Sequence, residues 1–278
     1  MTPAEIVAMV EHYLPVLVTA GDYACNIQSR ISGPAQKSGP NAWTEALTDA
    51  DLNVQTFIEV ATLSHYPDVG FFGEESEQST NRKYFDTVAD TVVYLDPING
   101  TFLYKNQRSG WDIILSISHQ GQLIAAISYM PAKGLFYVAI RGIGAVTGTR
   151  KSLRIRDMRM LRTQSGSRVC LTYQAPDVIT GASPNFECFD IVQDYSADRD
   201  LDNLNDLFTG RLDAFACRQG DLLDWGAVAF IVCQAGGVAT DLKGSALSAF
   251  DDFRADDTVD MLVSTSPEVH QEILNLLR

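Results

Sequence analysis

Apolar residues near the start of the chain recur at three- and four-residue steps: Ile6, Met9, Val10, Tyr13, Leu14, Leu17, Ala20, Ala24 and Ile27, the spacing of one buried helix face. Thr2-Pro3-Ala4-Glu5 opens this helix, with Thr2 able to cap, Pro3 at the first helical position and Glu5 completing a capping box. Pro15 is expected to kink or divide it. Residues 31–40, rich in Gly, Ser and Pro, read as loop. A second helix is expected over residues 51–64, with Val54, Phe57, Ile58 and Ala61 on its apolar face and Leu52, Gln55, Thr56, Glu59 and Thr62 between them.

The period then changes. Residues 92–95, 113–118, 123–129 and 135–140 are short β-rich runs, and Gln120-Gly121 and Ala132-Lys133-Gly134 supply hairpin turns. A helix pair on a largely antiparallel sheet follows from that pattern. Further along, strands are expected at 168–172, 213–217, near Val238 and at 261–264, alternating with helices at 201–208 and 224–233. Ser266-Pro267-Glu268 caps a last helix with Val269, Ile273, Leu276 and Leu277 on one side. The chain therefore divides into an N-terminal α+β half, residues 1–155, and a C-terminal α/β half, residues 156–278.

Composition narrows the function. Hydrophobic residues make up 46% of the 278 and charged residues 20%, as in a chain that folds throughout. A formal charge of -14 argues against nucleic-acid polymers as partners, because phosphate backbones are held by clustered Lys and Arg. The same charge suits a divalent cation, and equally a solvated acidic surface. Cys25, Cys170, Cys188, Cys217 and Cys233 show no CxxC spacing and read as reduced thiols. The first residues lack a basic leader, and no apolar run is read as reaching the ~18 residues of a membrane span. The expectation is a cytoplasmic protein with no membrane partner.

Carboxylates gather beside Gly and Pro in three places: Gly73-Glu74-Glu75-Ser76, Asp96-Pro97-Ile98-Asn99-Gly100-Thr101, and Asp221-Leu222-Leu223-Asp224. Each alone reads as a cap or turn, and Asp224 in particular as a helix N-cap. Together, and without His or Cys among them, they favour a hard cation such as Mg²⁺, held by a few carboxylates and by substrate phosphate. His12, His65, His119 and His270 form no HxH or HExxH pattern. GxSxG, Walker and strand-borne GxGxxG signatures are missing, as is the DxDxDG loop of a structural Ca²⁺ site.

GEES at 73–76, VVYLDPINGT at 92–101 and DWGAVAFIVCQAGG at 224–237 resemble the three hallmark blocks of the inositol monophosphatase family, in their usual order, and ALTDAD at 46–51 resembles its upstream Thr-Asp element. The resemblance spans nearly the whole chain. It implies a layered αβαβα sandwich and hydrolysis of a small phosphate monoester by a Mg²⁺-dependent, Li⁺-sensitive enzyme holding two or three Mg²⁺ per site. It also implies a homodimer. Glu74, Asp96 and the carbonyl of Ile98 would hold a first cation, Asp96, Asp224 and residue 99 a second, and Asp51 with Glu74 a third. Thr101 with Asp51 would activate the attacking water, and the amides of Gly100 and Thr101, together with Asn99 and Asp224, would meet the substrate and its phosphate.

The chain also departs from that family. Its second block normally reads Asp-Pro-Ile-Asp-Gly-Thr, and Asn99 stands at the second Asp. An amide oxygen still ligates but carries no charge, so a loss of about 2 to 4 kcal/mol of transition-state stabilisation, roughly 30- to 1000-fold in rate, is expected. Asn99 is open to three explanations: an introduced change that traps substrate, a natural loss of activity, or a natural variant that still turns over. Cys217 falls where inositol phosphatases carry a substrate-binding Glu, and Arg218 follows it. Arg218 either pairs with Asp221, the favoured reading, or faces the pocket and suits a substrate with a second anionic group. Gln234 replaces the usual Glu before Ala-Gly-Gly without clear consequence. Sugar or cyclitol phosphates lead as substrates, ahead of histidinol phosphate, a sugar bisphosphate or adenosine 3′,5′-bisphosphate. The competing class is a catalytically impaired regulator that binds metal or phosphate.

Overall fold

The computed structural model describes residues 1–30, 35–36, 46–47, 49–172, 185–190, 194, 203–254 and 257–277. Helix α1 (Pro3–Ile27) begins with the expected reciprocal cap: Thr2 N donates to Glu5 Oε2 at 2.7 Å, and Glu5 N to Thr2 Oγ1 at 3.3 Å. Pro15 does not divide the helix, which runs unbroken for 25 residues. The ring sits on the exposed face, where the carbonyl that loses its partner stays open to water. By length and composition the stretch Pro3–Arg30 would pass for a membrane span, which amends the expectation that no run is long enough. Its apolar stripe from Ile6 to Ala24 is nevertheless buried in the protein core.

Most of the loop expected at 31–40 lies outside the described residues, as does Thr48 of the Thr-Asp element. Two short strands there, β1 (Ala35–Gln36) and β2 (Ala46–Leu47), pair antiparallel. Helix α2 (Asp49–His65) starts earlier than the pattern suggests, and its buried face is different. Phe57 is 41% exposed, whereas Gln55, Glu59 and Thr62 are buried. These polar groups go inward because partners await them: Gln55 Nε2 donates to Glu59 Oε1 at 2.9 Å, Asn81 Nδ2 to Glu59 Oε2 at 2.9 Å, and Tyr13 Oη lies 3.1 Å from Thr62 Oγ1.

A seven-stranded sheet follows chain order: β3 (Gly70–Gly73), β4 (Thr91–Asn99), then, after the short helix α3 (Thr101–Lys105), β5 (Asp112–His119), β6 (Gln122–Met130), β7 (Leu135–Ile140), β8 (Gly144–Thr149) and β9 (Arg159–Met160). Only β3 and β4 run parallel. The β5–β6 hairpin turns through Gln120 and Gly121, both at positive φ (51° and 78°), as the Gln-Gly pair predicts.

The second sheet contains β10 (Arg168–Thr172), β11 (Glu187–Asp190), β12 (Ala214–Asp221), β13 (Val238–Thr240) and β14 (Thr258–Ser264), in the order β11-β10-β12-β14-β13. Of the helix expected at 201–208, the described part is a 3₁₀ turn over Leu204–Phe208, with the Asn203 side chain accepting from Asn205 N at its start. Helix α4 (Ala227–Gln234) is apolar on all sides because it lies between the two sheets, and α5 (Pro267–Leu276) covers the outer face of the second. The layers are therefore α1 and α2, the seven-stranded sheet, α4, the five-stranded sheet, and α5. This is the αβαβα sandwich that the sequence implies.

Candidate active site

The first carboxylate turn is set by α2. Strand β3 ends at Gly73, and Glu74 N donates to Leu95 O at 2.9 Å, which extends the pairing with β4 by one residue. Glu75 N donates to Gln55 Oε1 at 2.9 Å, and Ser76 Oγ and Gly73 O close the turn on each other. A Cβ at residue 73 would lie 2.3 Å from Gln55 Oε1, so any larger residue there would push this amide out of its place. Glu75 is buried, and Glu74 emerges on the open side. Gln55 was not singled out by the sequence pattern, which assigned it to the polar side of α2.

Strand β4 carries the second group. Its register with β5 shifts between Asp96 and Asn99, a bulge that holds Asp96 buried while Ile98 N donates to Asp96 Oδ1 at 3.0 Å. Gly100 takes a φ of 83°, which turns the chain into α3. Thr101 then faces back, its hydroxyl 2.9 Å from Ile98 O and 3.2 Å from the buried Asp51 Oδ1. The structure thus brings Asp51, Ile98 and Thr101 together from α2, β4 and α3.

Asp224 is not the helix N-cap that its position suggests. Asp221 takes that role: its Oδ1 accepts from Asp224 N at 3.0 Å at the start of a π-helical turn, Leu222–Gly226, that leads into α4. The carboxylate of Asp224 is thereby released from capping, and its Oδ1 is buried without a hydrogen-bond partner. Asp96 lies within reach of the charges of both Glu74 and Asp224. Burial, and then the charges of Asp224 and Glu74, push Asp96 well above the usual carboxylate range. Asp224 is raised in the same direction by burial and by Asp221 and Glu74.

Beside this cluster lies a group that the sequence reading missed. Asp112, at the start of β5, is fully buried and accepts from Asn99 Nδ2 at 2.9 Å, Asn203 Nδ2 at 3.1 Å, Asn205 Nδ2 at 3.1 Å and Ser128 Oγ. Burial raises its pKa to about 6, against the lowering effect of those four donors. A lone acid at the head of the apolar run of β5 was the available signal.

Cys217 lies apart from the cluster. Cys217 is fully buried in the core between the sheets with Phe215 and Trp225, and burial pushes its thiol up to about 12. Arg218 makes no ion pair with Asp221 and its Nε is buried without a hydrogen-bond partner, which corrects the surface-pair reading.

Three carboxylates from different elements, an all-oxygen donor set and an unpartnered Asp224 oxygen fit a hard divalent cation better than any softer metal. Among the described residues no three acidic, His or Cys side chains are already spread around a common centre. Glu74, Asp96 and Asp224 instead stand close enough for their charges to act on one another.

Fold and site together define the class: a five-layered α/β protein with a cation-suited acidic cluster where β3, β4 and β12 end. Residues 17–278 match the model of the inositol monophosphatase family, and the chain belongs to that family. An inositol-1-monophosphatase of Rhizobium meliloti is 25% identical over 225 residues, covering 79% of this chain and 77% of its own length. A protein named putative Nus factor SuhB, from Neisseria meningitidis serogroup B, is 26% identical over 213 residues, covering 76% and 78%. Among solved structures, an IMPase of Thermotoga maritima superposes with a TM-score of 0.71 at 20% identity, covering 95% of this chain and 94% of that one.

Proposed function

We propose that this protein is a Mg²⁺-dependent hydrolase of small phosphate monoesters, with sugar or cyclitol phosphates as the favoured substrates. The observation that carries the reading is the convergence of Glu74, Asp96 and Asp224, with Asp224 Oδ1 buried and unpartnered. Family membership supports phosphatase chemistry at this place.

Glu74, Asp96 and the Ile98 carbonyl would hold one cation, Asp96, Asp224 and Asn99 a second, and Asp51 with Glu74 a third. Bound Mg²⁺ supplies charge neutralisation at the phosphoryl group and a water acidic enough to attack near neutral pH. The chain's own part is orientation. Thr101 Oγ1, 3.2 Å from Asp51 Oδ1, can accept from that water while its own proton points to the carboxylate. Gly100, at a φ of 83°, turns the chain so that the backbone of residues 100 and 101 would face the phosphate of a bound substrate. A homodimer belongs to the same proposal.

The test is phosphate release from sugar, cyclitol, nucleotide and histidinol phosphates with Mg²⁺, and with Li⁺ added. Mg²⁺-dependent release that Li⁺ suppresses is expected, falling at least about 100-fold in Asp96→Asn, which removes a carboxylate shared by two cations. Silence across the panel would favour the second reading, a metal- or phosphate-binding regulator. That reading is favoured by Asn99 and by relatives named Nus factor, which are as similar to this chain as the inositol-1-monophosphatase is.

A further inference from the structure

Asn99 and Asp112 are cross-strand partners, the last pair of the β4–β5 ladder beyond the bulge. The donors around Asp112 fill its acceptor positions two by two: Asn99 and Asn203 at Oδ1, Ser128 and Asn205 at Oδ2. All four partners donate to it, the arrangement that holds a carboxylate in place. Asn205 confirms the direction, since its Nδ2 donates both to Asp112 and to Ser128 Oγ at 2.7 Å while its Oδ1 is left buried without a partner.

This arrangement fixes Asn99. Its NH₂ group is committed to Asp112, so the amide oxygen is turned away from that carboxylate. Asp112 also stands among the negative charges acting on Asp224. We infer that Asn99 and Asp112 together form a displaced second acid of the site: Asn99 supplies the ligating oxygen, and Asp112 orients and polarises that amide while contributing the charge from one hydrogen bond behind. The inference rests on the metal-dependent hydrolase reading above. Asp112 is then a positioning residue, and Asn99 a working member of the site. The pair also reverses the simple expectation for restoring the family's residue. Asn99→Asp alone would replace a 2.9 Å hydrogen bond with two facing carboxylates, one of them already buried.

The experiment uses the full chain in four forms: native, Asn99→Asp, Asp112→Asn, and the exchange Asn99→Asp with Asp112→Asn. Mn²⁺ binding followed by electron paramagnetic resonance and Tm without metal are the readouts, with phosphate release alongside. Asn99→Asp should lower the metal-free Tm. Asp112→Asn should weaken Mn²⁺ binding about tenfold or more, as loss of a ligand's hydrogen-bond partner does. The exchanged protein should regain both Tm and affinity relative to the single variants. Additive effects, or Mn²⁺ affinity unmoved by Asp112→Asn, would overturn the inference while native binding and turnover left the hydrolase reading standing. If even the native chain binds no Mn²⁺, the hydrolase reading falls and this one with it. Should Asp112→Asn fail to fold alone, Asn99→Asp compared with the exchange carries the same coupling, and no recovery of Tm would refute it.

Discussion

The side-chain amide of Gln55 accepts from Glu75 N and donates to Glu59 Oε1, both at 2.9 Å, so one residue of α2 steadies the turn that presents Glu74. Replacing it with alanine removes both contacts and opens space above Gly73. Gln55→Ala is expected to cost about 1–3 kcal/mol in urea unfolding, the range for a lost buried hydrogen-bond partner. Its larger effect should be on turnover: a shift of about 1 Å at Glu74 can cost on the order of 100-fold in kcat. A variant that loses stability but keeps native kcat would show that the Glu74 turn holds itself.

At the scale of elements, Asp221 separates capping from chemistry at the head of α4. Because Asp221 caps the π turn and Asp224 does not, Asp221→Ala should destabilise by about 1 kcal/mol, the usual value of an N-cap. Asp224→Asn should instead leave stability nearly intact, or raise it without metal, and abolish metal-dependent turnover. Parallel Tm and phosphate-release measurements decide this, and equal Tm losses in the two variants would contradict it. Much of this architecture was legible beforehand. Short β-rich runs marked β4 to β7, and the Thr2 and Ser266 caps marked α1 and α5, because those signals are local. The inward polar face of α2 was illegible because its reason lies in the 73–81 turn. Asp112 was missed for the same cause: its partners Asn203 and Asn205 are 91 and 93 residues away.

For the whole molecule, the buried acids make stability depend on pH in a particular sense. Asp112 rises from an ordinary 3.8 to about 6, and Asp96 and Asp224 also move upward. A raised folded-state pKa means that the native state binds more protons than the unfolded chain. That stability is fully present below the ordinary value and is lost as pH rises through about 6, by roughly 3 kcal/mol for Asp112. Without metal, Tm should therefore decline between pH 5 and pH 7 by several degrees. Mg²⁺ should raise Tm more at pH 7 than at pH 5, since proposed ligands must be ionised to bind it. A metal-free Tm that climbs over this interval would refute the assignment. Helix α1 has a separate consequence, for synthesis. Its apolar stripe is long enough to pass for a membrane span, and part of its cover is β6, which follows roughly 100 residues later in the chain. On a ribosome adding about 5–20 residues per second, that stripe waits some 5–20 s for its cover, a window in which chaperones compete with misfolding for the emerging chain.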